Sequence, residues 1–135
     1  MQELDKKDYT QNILLALTLA EQDYIGCRRF KKLIDTFNTP ENIINAPEEE
    51  LKKIDDINFK IIYKIRKIKI SDKIKKIYED CQNKKYIILY YGQKNYPELL
   101  AELYAPPMIL YSTADFNSAD KNAIAVVGSR FATQY

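Results

Sequence analysis

At Tyr86 the apolar pattern of this chain changes period. Upstream, hydrophobic residues recur every three or four positions, as on one face of a helix, whereas Tyr86-Ile-Ile-Leu-Tyr-Tyr91 is an unbroken β-prone run that Gly92 ends. Helices gathered in one part of a chain and strands in the next give an α+β fold, because the two kinds of element do not alternate from the start. The polar segment Gln82-Asn-Lys-Lys85 marks the division, with a helical domain over residues 1–82 and a second domain over 83–135.

Within the first part, Ile13, Leu14 and Leu17 keep helical spacing from Tyr9 to about Ala20, and the chain then turns through Asp23-Tyr-Ile-Gly26 with Gly26 as hinge. A second helix sets Phe30, Leu33, Ile34 and Phe37 on one face. Thr39-Pro40-Glu41 combines a capping hydroxyl, a proline at the first helical position and an acid in the first turn, which predicts a short helix through Ile43 and Ile44. Pro47-Glu-Glu-Glu50 repeats the device before Leu51 and Ile54. Asn58 caps a longer helix carrying Ile61, Ile65 and Ile68, and Ser71 caps another carrying Ile74, Ile77 and Cys81. The result is a compact bundle of short helices.

Composition narrows the chemistry. The chain has no histidine, which removes Ser-His-Asp and Cys-His catalysis, histidine zinc sites and the commonest general base together. Cys27 and Cys81 are the only cysteines and support neither a disulfide framework nor a cysteine zinc site, so no metal or cofactor is expected. No apolar run approaches the roughly 18 residues of a membrane span, and Met1-Gln-Glu-Leu-Asp-Lys-Lys7 is no signal peptide, which predicts a cytoplasmic protein without membrane association. The formal net charge of +2 does not by itself argue for nucleic-acid binding.

Two turns, Tyr24-Ile-Gly26 and Ile54-Asp-Asp-Ile-Asn58, resemble those of helix-hairpin-helix motifs, whose glycine amides form an anion nest for DNA phosphate. The second carries Asp55, Asp56 and Asn58 where that motif has a proline and two glycines, and carboxylates repel phosphate. The bundle is therefore read as a packing or interaction module. The lysine-rich stretch Lys60–Lys76, with Arg66, interleaves cations with an isoleucine stripe, as a solvated face opposite a core does. Tyr63 and Tyr78 are near it but form no stacking cluster in the sequence.

Beyond the boundary, Tyr96-Pro97-Glu98 opens a short helical segment through Leu99, Leu100 and Leu103, stopped by Pro106-Pro107, and Met108-Ile-Leu-Tyr111 reads as a second strand. Asp120-Lys-Asn122 leads into Ala123-Ile-Ala-Val-Val-Gly-Ser-Arg130, read as a third, buried strand that delivers a small, hydroxylated and cationic tip at its C-terminal edge. Gly128 allows close approach of a ligand, Ser129 offers a hydroxyl, and Arg130 offers a planar cation suited to phosphate.

Three segments in this order, Asn95-Tyr-Pro-Glu-Leu-Leu100, Ala105-Pro-Pro-Met-Ile-Leu-Tyr111 and Ile124-Ala-Val-Val-Gly-Ser-Arg130 with Thr133 and Tyr135, resemble the opening of the DNA-processing protein A family (DprA, also called Smf). The resemblance implies a helical SAM-like or helix-hairpin-helix-like domain followed by the start of a Rossmann-like domain. It further implies a cytosolic, non-enzymatic protein of natural transformation that binds single-stranded DNA, helps load the RecA recombinase and works as a dimer. Gly128, Ser129 and Arg130 then match the family's phosphate-holding Gly-Ser-Arg. Gln93-Lys-Asn95 and Ser112-Thr-Ala114 depart from the family pattern at turn positions, where local loop changes are expected.

The chain stops at Tyr135, five residues (135 − 130) after Arg130, so the covering helix, later parallel strands and dimer surface are expected to be absent and the chain reads as an N-terminal fragment. Two other functions compete with the family reading. A nucleotide-processing hydrolase of related fold would need a Gly-rich phosphate loop and catalytic acid and base residues, none of which is present. A protein-interaction module would act through the helical bundle alone.

Overall fold

The computed structural model describes residues 3–116 together with Asn122, Ile124, Val127 and Gly128. Helices α1 (Glu3–Ala20), α2 (Cys27–Phe37), α3 (Pro40–Asn45), α4 (Glu48–Leu51), α5 (Phe59–Arg66) and α6 (Asp72–Asn83) precede strand β1 (Ile87–Tyr90), helix α7 (Glu98–Ala101) and strand β2 (Ile109–Ser112). Three of the expected caps form. The Asn42 N–H donates to Thr39 Oγ1 at 3.2 Å, the Ile61 N–H to Asn58 Oδ1 at 3.1 Å and the Ile74 N–H to Ser71 Oγ at 3.3 Å. No helix among the described residues is long and apolar enough to cross a membrane.

Helix α1 starts six residues (9 − 3) before the apolar spacing does. Glu3 to Asp8 are mostly good helix formers, which extends the helix, and Lys6, Lys7 and Asp8 stay exposed. Further along, Ile13, Leu15, Ala16, Leu17, Thr18 and Leu19 are all buried, which no single face can hold. The helix packs against α2, α3, α6 and both strands, and a helix buried on most sides carries apolar residues around most of its circumference. Thr18 fits there because its hydroxyl donates to Leu14 O at 2.7 Å. Around α1, one apolar cluster runs from Ile13 through Phe30, Leu33, Ile43, Leu51, Ile65 and Ile74 to Leu89, Tyr91 and Tyr96.

Strands β1 and β2 form a two-stranded antiparallel sheet with Ile87 opposite Ser112 and Tyr90 opposite Ile109. The chain turns back on itself between these two strands. The cause lies in residues 91–108. Helix α7 has only four residues and crosses no sheet face, while Tyr96 Oη donates to Pro107 O at 2.7 Å and the Tyr91 N–H to Met108 O at 3.0 Å, drawing the returning chain beside β1. Gln93, one of the departures from the family pattern, sits in this turn and accepts from the Tyr90 N–H through Oε1 at 2.8 Å.

Burial pushes the Tyr96 hydroxyl from an ordinary 10.0 up to about 12. Its folded-state pKa is raised, so its contribution is present below pH 10, where the unfolded hydroxyl keeps its proton, and is lost as pH rises through about 12. Urea midpoints should therefore fall more steeply over this window in the wild type than in Tyr96→Phe, which should itself be destabilised by about 1–2 kcal/mol at neutral pH through the orphaned Pro107 carbonyl. Equal slopes for the two proteins would show that the hydroxyl is not protected.

One sequence reading changes. Gly26 has φ −83° and nothing within 4 Å of a Cβ placed on it, so neither backbone nor space requires glycine at that turn. Most of the third strand read over residues 123–130 lies outside the described residues; of those described, Ile124 and Val127 are 89% and 90% exposed.

Candidate nucleic-acid interface

Of the tip residues Gly128, Ser129 and Arg130, the structure describes Gly128, which is exposed with open space around its Cα; Ser129 and Arg130 lie outside the described residues. The cations and aromatic rings that can be placed belong to the helical bundle and the hairpin.

The two helix-hairpin-helix-like turns lie side by side, and Arg29 holds them together. From the first turn of α2 its guanidinium donates to Tyr24 O through Nη1 and to Asp56 O through Nε, both at 3.0 Å. Asp56 has φ 70°, the left-handed conformation usual for glycine, so the turn keeps a bend of that kind while a carboxylate occupies it. That carboxylate accepts from Lys32 Nζ at 3.0 Å, and this bond holds its pKa below the usual range, with the Lys32, Arg28 and Arg29 charges adding to the effect. A pocket of about 460 Å³ opens here, lined by Gly26, Cys27, Arg28, Arg29, Asp56 and Ala105. The Arg28 guanidinium sits over the Tyr104 ring at 4.7 Å. Asp56 already answers the positive charge of this pocket, and phosphate entering it would have to displace Lys32 from that pair.

Other cations are likewise engaged. Arg66 donates to Ile44 O at 2.6 Å and to Ala46 O, closing the carbonyl end of α3, so it is a structural arginine within the basic stretch. Lys31 pairs with Asp35 at 3.0 Å and with the Tyr91 hydroxyl, which in turn donates to Asp35 Oδ1 at 2.8 Å; the Tyr91 bond, above all, raises the Lys31 pKa. This triad fastens α2 to the end of β1. Lys73 pairs with Glu21, Lys75 with Asp72, and Lys52 and Lys53 with the acids of α4. By contrast Lys60, Lys64, Lys67 and Lys69 have no acidic partner among the described residues.

In the basic stretch, Lys73 and Lys75 of α6 are thus paired with acids, whereas the lysines on and after α5 are not. A sequence reading treats both groups alike, because Glu21, the partner of Lys73, stands far away in the chain. It also misses Tyr24, whose ring the fold brings to 4.6 Å from Lys64 Nζ. Tyr78, by contrast, is turned inward, with its hydroxyl 3.2 Å from Thr10 Oγ1.

No curated protein and no solved structure matches the chain. Residues 87–135, from the first residue of β1 to the last of the chain, match the family described as DNA recombination-mediator protein A. The match covers the hairpin with its Tyr96-Pro97 and Pro106-Pro107 turns and the whole Gly128-Ser129-Arg130 segment, and in this C-terminal part the chain is similar to the DNA recombination-mediator protein A family.

Proposed function

We propose that the chain handles single-stranded DNA for recombination during natural transformation, holding the sugar–phosphate backbone at Gly128, Ser129 and Arg130 and assisting the loading of the RecA recombinase. The observation that carries this reading is the family match over residues 87–135, which contains that segment whole. The chemistry agrees. Arginine pairs with phosphate through a planar fork, a glycine beside it lets the backbone come close, and a serine hydroxyl adds a donor. Phosphate contacts position a strand without reading its sequence. The same match supports a division into a helical domain over residues 1–82 and a DNA-handling domain over 83–135, although apolar packing is continuous between α1 and β1.

The test is fluorescence anisotropy with labelled single-stranded oligonucleotides of several sequences, for the wild-type chain and Arg130→Ala. The variant should lose about 1–3 kcal/mol of binding free energy by a similar factor for every sequence. Its dependence of log K on log salt should be shallower by roughly 0.7, the value for one lost single-strand phosphate contact. A loss confined to some sequences, or unchanged binding, would overturn the phosphate role.

A further inference from the structure

A groove of about 570 Å³ runs between the turn after α1 and the C-terminal end of α5, and its lining includes Tyr24, Tyr63, Lys64, Lys67, Lys69 and Asp23. Three ammonium groups face one carboxylate there. Lys60, on the same side of α5 as Tyr63, Lys64 and Lys67 by the three- and four-residue spacing, extends the charge along the helix. Among the described residues none of these four lysines has an acidic partner within ion-pair distance, in contrast with Lys73 and Lys75 of the next helix. The aromatic rings stand among the charges: Lys64 Nζ lies 4.6 Å from the Tyr24 ring centre and Lys67 Nζ 4.4 Å from that of Tyr63, which is 52% exposed.

We infer that this groove is a second single-strand contact surface, on the helical bundle, in which Lys60, Lys64, Lys67 and Lys69 follow backbone phosphates while Tyr24 and Tyr63 stack on bases. The inference rests on the single-stranded DNA reading of the preceding subsection and adds a site apart from the Gly-Ser-Arg segment. Sites for unpaired strands join cations that track the backbone to rings on which bases stack, and both are present here within one groove. Lysine–ring contacts at an exposed surface are weak, so an ammonium can leave a ring face for a phosphate as a base takes its place. Paired bases offer no free faces, which makes the duplex the poorer ligand. An anionic membrane would be met by lysines as well, but would leave the paired tyrosine and lysine positions without a role.

The experiment uses the full chain and a labelled oligothymidylate, with wild type, Lys64→Gln/Lys67→Gln/Lys69→Gln, Tyr63→Leu and Arg130→Ala compared across a salt series. All of the bundle positions are at the surface, and circular dichroism checks that each variant is folded. The triple variant should bind about tenfold or more weakly at 0.1 M salt, with a slope shallower by roughly 2, the value for three phosphate contacts. Tyr63→Leu should weaken binding about fivefold or more with the slope kept. Triple-variant affinity and slope equal to wild type would overturn the groove and leave the Gly-Ser-Arg reading standing if Arg130→Ala still weakens binding. Loss in the triple variant beside an unaffected Arg130→Ala would do the reverse. A wild-type chain that ignores the oligonucleotide overturns both, and lysine-dependent binding to phosphatidylglycerol vesicles without oligonucleotide binding would reassign the groove to membranes.

Discussion

Gly92→Ala should destabilise the protein by about 3 kcal/mol or more, from two separate causes. Gly92 has φ +97°, which L side chains rarely adopt, and a Cβ placed on it would lie 2.3 Å from Ile34 Cγ2. Ile34 cannot step aside easily. It is buried in α2, its Cβ is itself 3.7 Å away, and a β-branched side chain in a helix has essentially one χ1 rotamer. Urea denaturation of the single variants and of Gly92→Ala/Ile34→Ala separates the causes: truncating Ile34 should cost less in the Gly92→Ala background than in the wild type, because the clash goes with it, while the conformational penalty remains. Strict additivity would show that the turn moves away from α2 instead.

Phe30→Ala should cost about 3–5 kcal/mol, a large share of the 5–15 kcal/mol that stabilises a typical domain. Phe30 has no exposed surface and lies in the apolar cluster that reaches from the helices to β1. Its position on α2, in the same helix that anchors Tyr91 through Lys31 and Asp35, makes it a joint between bundle and hairpin. The urea midpoint should fall with the m-value kept, and Phe30→Leu should recover more than half of the loss. A cost under about 1 kcal/mol would mean that the cavity collapses or that this part of the core is loosely packed.

Much of this was legible from residues with local consequences. Thr39, Asn58 and Ser71 mark helix starts because a cap acts within three residues of itself, and Phe30, Leu33 and Ile34 mark a buried face because helical spacing does. The β-prone runs before Gly92 and after Pro107 became β1 and β2 for the same reason. What the sequence hid depends on distant partners. The antiparallel pairing turns on a tyrosine hydroxyl reaching a proline carbonyl eleven residues on, from Tyr96 to Pro107. Leu15 and Leu19 looked unassigned because α1 has neighbours on most sides rather than one. Arg66 looked like one more cation of a basic stretch until α3 placed its carbonyls beside it. At the interface, Asp55 and Asp56 were readable as an obstacle to phosphate, whereas the pairing of Lys73 with Glu21 and the approach of Tyr24 to Lys64 were not.

The two strands of the hairpin have unequal holds on the rest of the molecule. Ile88, Leu89 and Tyr90 of β1 are buried, whereas no residue of β2 is, and Tyr111 is exposed. Opening of β2 therefore uncovers little apolar surface, and its amides share the fate of a local fluctuation, while those of β1 open only with the helices that bury them. Among the described residues the other edge of β2 has no strand beside it, and it is accordingly the part of the sheet where another strand could be added or exchanged with the core left undisturbed.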